Sequence, residues 1–89
     1  MNLSMMDGET KIFDRDFTKA TRLGEFPVAD LRALDGIRGR EAYALSTQTL
    51  VALEKQPDRR DQIDPDVLDG LFAVRDMSER YGEARWSAK

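Results

Sequence analysis

Acidic side chains are the main source of chemistry in this chain, which has 17 Asp and Glu among 89 residues. Three close pairs stand out: Asp14/Asp16, Asp58/Asp61 and Asp64/Asp66. Two carboxyls can divide acid and base work when their surroundings push their pKa values apart. Residues two apart on a helix point to different sides, so Asp14 and Asp16 would not share a site there. Solvated surface and helix capping are the expected roles for all three pairs. The chain has no histidine and no cysteine, so the commonest general base, the commonest metal ligand and any thiolate are missing. Without them, no serine, threonine or tyrosine hydroxyl has an obvious activating base. The expectation is a chain that is not an enzyme, with no catalytic, cofactor-binding or metal-binding residues.

Two short motifs suggest binding chemistry and fail on their spacing or context. Residues 64–70 (DPDVLDG) carry three acids and a glycine, as calcium loops do. An EF-hand needs its third acid at the fifth position and a bidentate Glu at the twelfth. Here Asp69 comes one place late and Arg75 stands at the twelfth, so the motif fails. Gly36-Ile37-Arg38-Gly39, followed by Arg40, has the spacing of the GxxG loop with which KH domains clamp nucleic acid. Such a domain needs three strands, for which the pattern offers no convincing candidates, so the two glycines read as an ordinary turn.

The elements that would position these residues read as helices. The best-signalled one spans residues 65–81. Asp64 is a good N-cap, Pro65 suits the first helical position, and Val67, Leu68, Leu71, Phe72, Val74, Ser78 and Tyr81 make one broad face. Gly82 ends it. A second strong helix is expected over residues 40–56, where Ala42, Leu45, Thr49 and Leu53 form a stripe that Tyr43, Leu50 and Ala52 widen. Ser46, Thr47 and Thr49 are weak helix formers, which permits a break near Ser46. Phe13, Phe17, Ala20 and Leu23 recur at helical spacing and predict a helix over residues 10–23, with a short strand at residues 11–13 as the competing reading. Phe26-Pro27 opens a further helix, over residues 27–35. The fold class is therefore all-α, a small bundle of three to four helices. A flexible N-terminal tail (1–9), a single helical domain (10–82) and a C-terminal tail (83–89) complete the expectation.

Residues 45–56 (LSTQTLVALEKQ) resemble the turn and recognition helix of lambda-repressor/Cro-type helix-turn-helix proteins. Leu45 and Ser46 match the turn, Leu50 and Leu53 the buried face, and Glu54-Lys55 the ending. Ile63-Asp64-Pro65 with Val67, Leu68 and Leu71 resembles the helix that follows in that family. The resemblance implies that Thr47, Gln48, Val51 and Lys55 face the major groove, with Arg59 and Arg60 near phosphates. Gln56 replaces the family's glycine, and Gly39, Arg40 and Glu41 stand where it carries an apolar pair.

Composition bounds the rest. A chain this short forms one domain and buries only about 60% of its unfolded surface, so a single core is marginal. That points to a homodimer as the free state. The formal charge of -3 is mild and argues against non-specific phosphate binding as the main role. No window approaches the ~20 apolar residues of a membrane span, and the opening residues lack a signal peptide's pattern, so no membrane partner and a cytoplasmic location are expected. The leading functional expectation is a non-catalytic regulatory or accessory protein working through protein–protein contact: an inhibitor, an antitoxin-like regulator or a complex subunit. Phe13, Tyr81 and Trp86 are its candidate partner-binding anchors, since aromatics dominate interface energetics. The alternative is a helix-turn-helix DNA-binding regulator, the one reading in which nucleic acid is a partner.

Overall fold

Alternation governs residues 2–6. A computed structural model describes residues 1–17 and 31–89. In it Leu3 and Met5 are fully buried, while Asn2, Ser4 and Met6 between them are partly exposed. They form strand β1 (Asn2–Asp7), which turns at Gly8 into β2 (Thr10–Asp16). Gly8 has φ of +63°, and Gly8-Glu9 is the two-residue loop between the paired Asp7 and Thr10. A glycine at positive φ in the first loop position suits a hairpin because it matches the twist of the flanking strands. The register slips once, between Met5 and Met6, so that Met5 faces Phe13, Met6 faces Lys11 and Ile12 is the extra residue of a bulge.

A third strand, β3 (Arg85–Ala88), pairs antiparallel with the other side of β1, giving the order β2-β1-β3. Its outer edge is occupied by the chain before the first long helix. Gly36 N–H donates to the Trp86 carbonyl at 2.8 Å, and Trp86 N–H to the Ile37 carbonyl at 2.9 Å. Asn2 and Lys89 meet across the sheet and exchange backbone hydrogen bonds of 2.7 and 2.8 Å.

The helices are α1 (Gly39–Glu54), the short α2 (Pro57–Asp61) and α3 (Pro65–Arg80), preceded by a 3₁₀ turn at Leu31–Leu34. Asp64 caps α3 by accepting the Asp66 N–H at 2.8 Å. Arg38 gives α1 no side-chain cap, so backbone does the work: Gly39 N–H donates to Ala84 and Arg40 N–H to Gly82. Gly39 is required by that approach, because a Cβ there would lie 2.6 Å from the Tyr81 carbonyl oxygen. The start of α1 thus abuts the end of α3, and the two helices pack antiparallel. One side of α3 (Val67, Leu71, Val74) shares a core with Leu3, Met5 and Trp86 of the sheet and with Ala42 and Leu53 of α1.

The all-α helical bundle is therefore overturned: the chain is α+β, with a three-stranded antiparallel sheet. The stretches read as tails, 1–9 and 83–89, contain β1 and β3. The helix expected over residues 10–23 is β2 as far as Asp16, in line with the competing strand reading. Phe13 and Phe17 explain the confusion: a spacing of four is one helical turn, yet it is also an even number and keeps both residues on one face of a strand. Residues 18–23, and 27–30 of the helix expected over 27–35, lie outside the described residues. The helices expected over 40–56 and 65–81 correspond to α1 and α3.

Candidate interaction surface

The acid pairs do not converge on a site. On β2, Asp14 and Asp16 share the exposed face, as residues two apart do on a strand. Asp14 lies 3.6 Å from the Lys11 ammonium, and Asp16 3.9 Å from that of Met1. Asp58 and Asp61 are exposed on α2, and Asp64 serves as the cap already described. Among the described residues no three potential ligands come together to hold a metal ion. The GxxG stretch is also structural. Gly36, at φ of +80°, turns the chain onto β3, and Gly39 makes the close approach to Tyr81.

Of the three aromatic anchors expected, Trp86 is core. It is 1% exposed, its Nε1–H donates to Ser78 Oγ at 3.0 Å, and Phe13 meets it edge-on with centroids 5.4 Å apart. Phe13 is half-buried on the inner face of the sheet, and Tyr81 is half-buried at the C-terminal cap of α3. The indole joins the sheet to α3 through Ser78, so Trp86 is not presented outward as an anchor.

Ser46 does not break α1. Its hydroxyl donates to the Tyr43 carbonyl at 3.2 Å, and Thr49 Oγ1 donates to the Leu45 carbonyl at 2.9 Å. Both side chains are buried and satisfied by the preceding turn, so the helix continues through them. The turn implied by the helix-turn-helix resemblance is absent. The residues singled out by that resemblance still share a location. Thr47, Gln48, Val51 and Lys55 lie on the outward side of α1, and Arg59 and Arg60 follow on α2.

That outward side of α1 is the least ordinary surface of the molecule. Ala42, Ser46, Thr49 and Leu53 point inward, leaving Tyr43, Ala44, Thr47, Gln48 and Val51 on the opposite face. No charged residue occurs from 42 through 53. Tyr43 at 36% and Val51 at 44% are the exposed large hydrophobic residues of the described chain. Thr47, Val51 and Lys55 line a shallow open depression of about 430 Å³. Arg40 stands at one end of the face, and Glu54 and Lys55 at the other.

No family model, curated protein or solved structure matches this chain. Function therefore has to be read from the surface itself.

A second concavity lies around the corner, where α1 meets α3. Leu50, Leu53, Leu68 and Phe72 floor a cleft of about 290 Å³, with Glu54, Arg60 and Arg75 among its lining residues. Arg75 lies over the Phe72 ring at 5.2 Å and pairs with Asp76 at 3.3 Å. The polar side chains here balance one another, which leaves the α1 face as the stronger candidate. Sequence reasoning missed Tyr43 as an anchor by counting it toward the buried stripe. Only the burial of Ser46 and Thr49 fixes which side of α1 faces out.

Proposed function

We propose that this chain is a non-catalytic interaction protein, a small regulator, inhibitor or complex subunit that binds a protein partner through the outward face of α1. The observation that carries the reading is the uncharged face of Tyr43, Ala44, Gln48 and Val51, all exposed around a half-buried Thr47, on a protein in which charged residues make up 35% of the chain. Charged residues are depleted at interface cores and aromatics enriched, with polar groups at the rim. Arg40, Glu54 and Lys55 supply such a rim. The reading includes a cytoplasmic setting and no membrane partner, and among the described residues no helix is long and apolar enough to cross a membrane. The test is capture of partners by tagged wild-type protein and by Val51→Lys, with folding of both followed by circular dichroism. Partners held by the wild type and lost from a folded Val51→Lys support the face. Identical captured sets exclude it.

A second reading keeps one supporting observation: Gln48, Val51 and Lys55 are exposed on one helical face, with Thr47 half-buried between them, and groove-reading residues must share a face. Titration of labelled duplex DNA at low salt tests it. Binding that weakens steeply with salt and falls on Lys55→Ala favours it, and no binding at low salt removes it.

A further inference from the structure

We infer that the occupant of the α1 face is a second copy of this chain, packed with its own α1 antiparallel to the first about a two-fold axis through Thr47. The inference rests on the interaction-face reading above and specifies its partner.

The order of residues along the face carries the inference. In an antiparallel pair crossing at Thr47, residues equally far before and after it come opposite one another. Tyr43 then meets Val51 of the second copy, and Val51 meets the second Tyr43. The two exposed large hydrophobic side chains of the described chain thus cover each other twice. One turn further out, Arg40 meets Glu54 of the second copy, again twice by symmetry. Both are exposed, and both lie on the outward side with Tyr43 and Val51. Thr47, on the axis, is small enough for the helices to approach closely. Parallel packing would instead set Arg40 against Arg40 and Glu54 against Glu54. Antiparallel packing also opposes the helix dipoles.

Among the described residues Arg40 has one competing partner within its own chain. Its guanidinium lies 3.5 Å from Glu83, which also lies 3.7 Å from Arg38, and the Arg40 and Glu83 side chains are 60% and 73% exposed. So open a pair is weak, and Arg38 keeps Glu83 supplied when Arg40 turns to the second copy. The contact spans four helical turns and is small, so the dimer is a weak one, with dissociation on the order of 10–100 µM.

Sedimentation of the full chain from about 1 µM to 1 mM should show a reversible monomer–dimer equilibrium across the expected range. Arg40→Glu and Glu54→Arg should each weaken it about tenfold, because two attractive pairs become repulsive. Mixing the two variants should restore wild-type association, since every cross-pair in the mixed dimer is then matched. The double variant should also recover, and Glu83→Gln should change little. A wild type that stays monomeric to the highest concentration overturns the inference, as does a dimer indifferent to the swaps or a mixture no tighter than its parts. The broader reading fails separately. If the wild type is monomeric yet Val51→Lys loses a captured protein, the face stands and the second copy does not. If it is monomeric and Val51→Lys loses nothing, both fall.

Discussion

The two long helices have the same length, sixteen residues each, and opposite surfaces. The side of α3 turned to solvent carries Asp66, Asp69, Asp76, Glu79 and Arg80, all exposed. Its other side is packed against both the sheet and α1 and holds Val67, Leu71, Val74 and Ser78. The corresponding inner stripe of α1 is made of small residues, Ala42, Ser46 and Thr49, with Leu53 its one large member. Larger uncharged side chains, Tyr43 and Val51, sit on the α1 surface instead. The difference separates two tasks. α3 holds the molecule together, and α1 contributes little bulk to that core while presenting an uncharged face.

This contrast can be broken most severely at Trp86. Trp86→Ala removes the largest buried side chain and leaves Ser78 without its indole partner, so urea unfolding should show a loss of about 3–5 kcal/mol. The wild-type indole should fluoresce with a blue-shifted, quencher-resistant spectrum. Next in size is Gly70→Ala on the packed side of α3, where a Cβ would lie 2.8 Å from Phe17 Cε1 and 3.1 Å from Leu31 Cδ1. Overpacking there should cost about 1–3 kcal/mol by the same measurement. Asp64→Ala removes the cap of α3 and should cost about 1 kcal/mol. The smallest effect sharpens the comparison. Val51→Lys on the outward side of α1 should shift stability by less than about 0.5 kcal/mol while abolishing association. If Val51→Lys unfolds the protein, α1 has a structural role on its outer side and the division of tasks is wrong.

The helical half was legible because its signals are local. Asp64, Pro65 and the apolar run of α3 announce a capped helix, and the Ala42–Leu53 stripe announces α1. The sheet was hidden because its signals are shared or non-local. The four-residue spacing of Phe13 and Phe17 fits strand and helix alike. Asp7-Gly8, between Met5-Met6 and Ile12-Phe13, is a recognised hairpin signal, masked by flanking runs too short and too polar to read as strands. β3 has four residues with one large apolar side chain, too short a run for periodicity to register. Trp86 lay beyond the helix-ending Gly82, and only the distant β1 makes sense of its burial. The helix-turn-helix likeness failed at Ser46 for a definable reason: a serine that caps a helix and one that bonds back to the previous turn look the same in one dimension. The outward face of α1 was partly legible, since the helix-turn-helix resemblance already places Thr47, Gln48, Val51 and Lys55 on one side of that helix.

The meeting of Asn2 and Lys89 has a consequence for how the protein is made. β1 is the middle strand of the sheet, yet one of its two neighbours, β3, is synthesised only after α1, α2 and α3. Until then the nascent chain can hold the β1–β2 hairpin but not the Trp86 side chain that joins the sheet to α3. Cooperative folding therefore waits for synthesis of β3, and the late, long-range pairing should set the folding rate more than the fast local helices do.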